Sequence, residues 1–304
     1  DFSKGCVWGG FSLLSLRLSG DNREVLSGAS DDCVYLYDLE RQLVTSKIKA
    51  HHDEVNSVTY LYPCATNLLV SGSDDTSIKV WDKRCHTSPA LTLLGHTEGI
   101  TCIASKGDGH YLLSNAKDQS LKLWDLRAAR AVTAITEPAP DRSQRVYCPN
   151  SVPATPDRCI KEACGLVLQQ IASDCCVTPV KRKCDSIDDR PSKMSRTKWD
   201  YRMMNYPYPI GATADPRDRS VSSCYGHAVL RSLIRCDFSP VFSTGQRYLY
   251  TGSADGAVYI YDLGGNLVQR LCASDAVVRD VSWHPYLPEM YCVSFNGELV
   301  RFKF

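Results

Sequence analysis

The chain has 304 residues, enough to bury a sizeable core without disulfides or metal, and its 35 basic and 34 acidic residues leave a formal charge of +1. That balance argues against a nucleic-acid or membrane-surface role driven by electrostatics, and no apolar run approaches the length of a membrane span. Of the 15 cysteines, Cys33, Cys64, Cys102, Cys236 and Cys292 fall in or beside strand-like runs, where Cys acts as a small apolar residue. Cys159, Cys164, Cys175, Cys176 and Cys184 have no nearby His to complete a zinc pattern, so neither metal nor cofactor is expected and the thiols read as reduced, as in an intracellular protein.

The sequence begins at Asp1, with no charged-then-apolar leader. Residues 1–10 are too few for a folding unit. From Phe11 a repeat sets in. Ser27–Tyr37 (SGASDDCVYLY), Ser71–Trp81 (SGSDDTSIKVW) and Ser114–Trp124 (SNAKDQSLKLW) align without gaps, and so do Thr251–Tyr261 (TGSADGAVYIY) and Cys292–Phe302 (CVSFNGELVRF). In each, an acidic or amide residue stands six positions before the final aromatic: Asp31, Asp75, Asp118, Asp255 and Asn296. The residues after it alternate in polarity, the period-two signature of a strand, and a turn precedes it. His51, His96 and His227 are each followed seven residues on by Val58, Ile103 and Ile234. Each unit therefore reads as four short antiparallel strands, and Tyr37, Trp81 and Trp124 recur at intervals of 44 and 43 residues.

The period fails between Trp124 and Gly226. Residues 128–198 read as a low-order insertion rich in Pro, Ser and charge, and Lys181-Arg182-Lys183 is either part of a nuclear-import signal or a solvated loop. Trp199 to Pro209 (WDYRMMNYPYP) is expected to cover the outer edge of the interrupted unit. The layout is thus three units in 1–127, the insertion, and two further units in 199–304.

The blocks ending Trp81-Asp82 and Trp124-Asp125, with Gly95-His96 and Gly226-His227, resemble WD repeats. The resemblance implies an all-β fold, a β-propeller with about five blades of a usual seven, and hence a C-terminal portion whose first blades are absent. It implies a buried relay of His, Ser or Thr, Asp and Trp within a blade: His51, Ser71 or Ser73, Asp75 and Trp81, then His96, Ser114, Asp118 and Trp124, with His227 and Asp255 as the fourth blade's pair. At Ser274 the last blade lacks its His. These structural roles absorb the His, Asp and Ser combinations that could otherwise suggest catalysis, so a binding protein rather than an enzyme is expected.

Trp81-Asp82-Lys83-Arg84 and Trp124-Asp125-Leu126-Arg127 are W-D-x-R sequences in neighbouring blades. This pair resembles the motif of cullin-4-associated factors, which dock onto the damaged-DNA-binding adaptor of a RING ubiquitin ligase. His96–Arg127, Trp199–Arg202, Tyr225–Gly245 and Val278–Pro285 are similar to the same family. The resemblance implies a substrate receptor in nucleus or cytoplasm, with Asp82, Arg84, Asp125 and Arg127 on the adaptor and a target such as a stress-response transcription factor. The alternative is a general WD scaffold with no ligase link. On the opposite face, aligned positions give Glu54, Asn56, Asp74, Thr101, Lys117, Ser232 and Arg279 as a target-reading ring. Arg279 suits an acidic or phosphorylated group, unless it pairs with Asp280.

Overall fold

The computed structural model describes residues 11–62, 67–85, 87–129, 199–211 and 215–304. They form five antiparallel sheets. The first comprises β1 (Leu13–Leu18), β2 (Glu24–Ala29), β3 (Cys33–Asp38) and β4 (Leu43–Lys49), and the second β5 (Val55–Tyr60), β6 (Leu68–Ser73), β7 (Ile78–Asp82) and β8 (Leu91–Leu93). The third holds β9 (Ile100–Ser105), β10 (Tyr111–Ala116) and β11 (Leu121–Asp125), with β12 (Ser222–Cys224) paired to β11 as its outermost strand. The fourth is β13 (Cys236–Phe238), β14 (Tyr248–Gly252), β15 (Ala257–Asp262) and β16 (Leu267–Cys272). The fifth has three strands, β17 (Val278–Trp283), β18 (Glu289–Ser294) and β19 (Leu299–Lys303). This is the expected all-β, propeller-type stack of blades.

The chain leaves the third blade after β11 and returns to it at β12. The long insertion therefore falls between two neighbouring strands of one blade, and Ser222–Cys224 belongs to the third blade although it lies in the later part of the chain. Trp199 to Pro209 is not the outer cover expected of it. Its residues form turns, and β12 takes the edge instead.

Strand alternation gives every inner sheet two apolar faces, so the core lies in the seams between consecutive blades. Leu26, Val34, Val55, Val58 and Trp81 fill the seam of blades one and two, and Val70, Ile78, Ile100, Ile103 and Trp124 that of two and three. Leu113, Leu121, Phe238, Leu249 and Tyr261 fill the next, and Tyr250, Ile260, Val281 and Met290 the last. Each such side chain contributes about 1.5–3 kcal/mol on burial. The end sheets leave apolar side chains uncovered: Leu16 and Leu18 on β1, and Val293, Phe295 and Leu299 near the last hairpin, are all exposed.

The seams close tightly because β2, β6 and β14 carry a glycine where the next blade's inner strand crosses. A Cβ on Gly72 would lie 2.4 Å from Ile103 Cδ1, and one on Gly252 would lie 2.2 Å from the Val278 carbonyl oxygen. β10 breaks the rule with Asn115, which is fully buried. That one exchange reorganises the seam between blades three and four.

Candidate interaction faces

The second and third blades contain the expected relay. Trp81 Nε1 donates to Ser71 Oγ at 2.9 Å, Ser71 meets His51 Nε2 at 2.7 Å, and His51 Nδ1 reaches Asp75 at 2.9 Å. The corresponding distances for Trp124, Ser114, His96 and Asp118 are 2.8, 2.7 and 2.9 Å. With Nδ1 protonated, Trp, Ser and His each donate once along the chain, which ends on the Asp carboxylate. Between Ser71 and Ser73 the geometry selects Ser71, since Ser73 Oγ donates to the Asp53 carbonyl instead. Burial pulls the Asp118 carboxyl upward, but His96 and Ser120 outweigh it and hold it at about 2. Asp75 is likewise held well below the carboxylate range by His51 and Ser77 against its burial, while burial lowers His51.

The fourth blade departs from the expected pairing. His227 does not bond Asp255. Its Nδ1 lies 3.1 Å from Tyr261 Oη and its Nε2 lies 3.0 Å from Asn115 Oδ1 of the neighbouring blade. Asp255 is instead held by Tyr259 Oη at 2.8 Å and Arg270 Nη2 at 2.9 Å. The cause is local. Tyr261 replaces the Trp, so its hydroxyl occupies the end of the relay, and Asn115 fills the gap that glycine leaves in other blades. Asp31 in the first blade uses the same substitute, bonding Tyr35 Oη at 2.6 Å and Lys47 Nζ at 2.9 Å. A signal was present: Tyr35 and Tyr259 stand four residues after their Asp, where blades two and three have Lys79 and Lys122. In the last blade Ser274 bonds Glu298 and Asn296, so its network is built without imidazole.

Asp82 and Asp125 end β7 and β11, at the far end from the Asp-bearing turns, about 17 Å away for a five-residue strand. Arg84 and Arg127 therefore emerge on one face in adjacent blades. Their forks are already engaged. Asp82 accepts from Arg84 N and Nε at 2.9 Å each and from Nη2 at 2.6 Å. Asp125 accepts the same three groups of Arg127 at 2.9, 3.0 and 2.7 Å, and Arg127 Nη2 also donates to Tyr111 Oη. In both blades the guanidinium fork closes on the motif's own Asp. An Asp accepting the amide two residues on makes this clasp a local consequence of D-x-R. Asp200–Arg202 and Asp215–Arg217 show it too. What Arg84 and Arg127 present is a fixed, half-exposed guanidinium plate, with side-chain exposures of 55% and 52%.

The opposite face is only partly the ring expected from alignment. Asn56 is buried and its amide donates to Asp74 and to the Ile100 carbonyl of the next blade. Thr101 is buried and donates to the Ile234 carbonyl, again across a seam. Both stitch blades together rather than face a target. Asp74 and Lys117 meet at 2.7 Å across the seam of blades two and three. Ser232 falls out of register, because Cys236, not Ile234, pairs with Thr251 as Ile103 pairs with Ser114. The loop after His227 is two residues longer than that after His96. Arg279 does not pair with Asp280, which bonds Arg235 at 3.0 Å. Glu54 and Arg279 are exposed.

The alignment missed Tyr201. Lys117 Nζ sits 4.1 Å from the centre of its ring, and the Arg231 amide donates to its carbonyl at 2.8 Å. The segment around Trp199 therefore lies on the Asp-turn face, bridging blades three and four. The Cys159–Cys184 group and Lys181–Lys183 lie outside the described residues. Among the described residues no helix is long and apolar enough to cross a membrane.

The comparisons with known proteins agree with this architecture. The family model for the WD domain, G-beta repeat, matches residues 42–82, 87–125 and 218–262, so the chain carries WD repeats. A LEC14B protein of Lithospermum erythrorhizon is 38% identical over all of this chain and 54% of its own length. Proteins named DDB1- and CUL4-associated factor 11 homolog, from Caenorhabditis briggsae and Caenorhabditis elegans, are 32% and 31% identical over 94% of the chain and 43% and 42% of their own lengths. The chain thus spans about half the length of the curated relatives it matches. A chain in a crystal structure of the mitotic checkpoint complex matches with a TM-score of 0.60 at 15% identity, over 97% of this chain and 61% of that one, which shows the fold alone.

Proposed function

We propose that this chain, a stack of WD-repeat blades, works as the receptor part of a cullin-4 RING ubiquitin ligase in the nucleus or cytoplasm, without catalytic chemistry of its own. It docks on the damaged-DNA-binding adaptor through the face that carries Arg84 and Arg127, and it holds a target protein on the opposite, Asp-turn face. The observation that carries this reading is the pair of identical D-x-R clasps at the exits of neighbouring blades. Two charged plates held rigid by their own aspartates lose little side-chain entropy on docking, which suits them to a protein interface. The names of the nematode relatives support the same partner.

Distinct roles follow from this reading. Asp82 and Asp125 orient the arginines, and the guanidinium planes and remaining N–H groups meet the adaptor. On the target side, Glu54 and Arg279 are the exposed members of the ring, while Asn56, Thr101, Asp74 and Lys117 hold the blades in register beneath them. Affinity purification of the full-length protein from cells tests the reading. Recovery of the adaptor and cullin-4 supports it. Recovery of other partners with neither of these makes the chain a general scaffold.

A further inference from the structure

The face that carries Arg84 and Arg127 continues onto blades four and five, and there it is apolar. Each blade is an antiparallel meander, so the turn between its first two strands lies at the same end as the exit of its third. The β13–β14 and β17–β18 turns therefore share the face of the two arginines. In the first, Pro240 and Gly245 bracket a single helical turn, Val241–Thr244, none of whose residues is buried. Thr244 Oγ1 fastens that turn by donating to the Pro240 carbonyl at 2.8 Å, and Gly245 closes it in the left-handed region at φ 64°. In the second, His284 Nδ1 accepts the amides of Tyr286 at 3.2 Å and Leu287 at 2.9 Å. Phe242 and Tyr286 are 74% and 67% exposed, the most exposed aromatic side chains among the described residues. Their rings meet across the two blades with centroids 5.0 Å apart, and Val241 and Leu287, next to them in the chain, are exposed as well.

This patch is joined to the clasp of the third blade. Arg127 Nη2 donates to Tyr111 Oη at 3.0 Å, and Lys106 Nζ lies 4.7 Å from the centre of the Tyr111 ring. Gln246 Nε2 donates to the Lys106 carbonyl at 2.9 Å, and Gln246 directly follows the Gly245 cap of the helical turn. We infer that Phe242 and Tyr286, with Val241 and Leu287, form the apolar anchor of the adaptor-docking surface, a platform for an apolar cluster on the damaged-DNA-binding adaptor. The inference rests on the adaptor reading above and extends its footprint from blades two and three onto blades four and five.

Area and composition favour the adaptor as the occupant. A stable protein interface covers about 800 Å² of each partner, with an apolar, aromatic-rich centre inside a polar rim. Two half-exposed guanidinium plates at neighbouring blade exits supply rim and little of that area. The aromatic platform supplies the centre on the same face, contiguous with Arg127. Both of its turns are held by their own hydrogen bonds, so docking orders little that is not already fixed.

The test measures binding of the purified full-length protein to the purified adaptor, and the oligomeric state of the protein alone by light scattering. Four forms are compared: the parent, Phe242→Ala with Tyr286→Ala, Arg84→Ala with Arg127→Ala, and Met203→Ser with Met204→Ser. The last pair is equally exposed but belongs to the segment on the opposite, Asp-turn face. The expected result is at least about a tenfold loss of affinity for the aromatic pair, parent-like binding for the methionine pair, and unchanged melting temperatures in both. Parent-like binding by the aromatic pair, with the arginine pair weakened, would overturn the inference and leave the adaptor reading standing. No adaptor binding by the parent would overturn both. A parent dimer that the aromatic pair dissolves without loss of adaptor binding would assign the platform to a second copy of this chain and overturn the inference.

Discussion

Asp118→Ala is the sharpest probe of the relay. The Asp118 carboxylate accepts four hydrogen bonds: from His96 Nδ1 at 2.9 Å, the Thr97 amide at 3.1 Å, the Ser120 amide at 3.0 Å and Ser120 Oγ at 2.6 Å. Its side chain is only 7% exposed and that of His96 only 1%. Truncation leaves those donors buried, and each unsatisfied group costs about 1–3 kcal/mol, softened where Ser120 can turn to a new partner. The expected loss is about 3–5 kcal/mol, the range for breaking a buried pair on one side. Asp255→Ala in the fourth blade is the matched control. Its partner Arg270 has a side chain 43% exposed and reaches water, Tyr259 Oη keeps its bond from Arg270 Nε, and no imidazole depends on Asp255, so its loss is about 1 kcal/mol. Urea unfolding of both variants at neutral pH, followed by circular dichroism, gives the comparison. Equal losses, or a larger one for Asp255→Ala, would refute the claim that only blades two and three carry the buried relay.

Acid should expose the same relay. The folded Asp118 carboxyl titrates at about 2, below its ordinary 3.8, so its stabilisation is complete above about pH 4 and fades as pH falls toward 2. A stability-versus-pH series should lose that slope in Asp118→Asn. Gly252→Ala should cost more than Gly72→Ala, because its methyl meets the Val278 backbone rather than the movable tip of Ile103, with overpacking of about 1–3 kcal/mol at the milder site. Asn115→Ala should lower the melting temperature and strand His227, whose imidazole burial holds near 4. A neutral effect there would show that the seam does not depend on the amide.

The sequence carried the regular parts of this molecule well. The Asp six residues before an aromatic, or Asn296 in the last blade, marks a real turn and strand in every blade, because turn chemistry and period-two alternation are local. The relay residues of blades two and three were equally legible, since Ser, Asp and Trp recur at one spacing and a His precedes them in both blades. The fourth blade was not, because the fate of His227 is decided by Asn115, 112 residues earlier in the chain. The anomaly was visible as Asn in place of Gly, but its meaning needs the neighbouring blade. Ser232 was misplaced for a related reason: counting from His227 hides two additional loop residues that strand pairing reveals. Asn56 and Thr101 stand at the rim in an alignment, yet seam packing turns them inward. The self-clasp of Arg84 and Arg127 could have been foreseen from D-x-R alone, as the copies at Asp200 and Asp215 show.

These copies also supply the control for the most direct measurement. Arg217 forms the same local clasp and Arg202 its amide and Nε part, yet both belong to the returning insertion rather than to the exits of β7 and β11. Binding of the purified full-length protein to the damaged-DNA-binding adaptor should be compared for three forms: the parent, Arg84→Ala with Arg127→Ala, and Arg202→Ala with Arg217→Ala. The account predicts at least a tenfold loss of affinity for the first pair and parent-like binding for the second, with unchanged melting temperatures in both. Parent-like binding by the Arg84 and Arg127 double variant would contradict it.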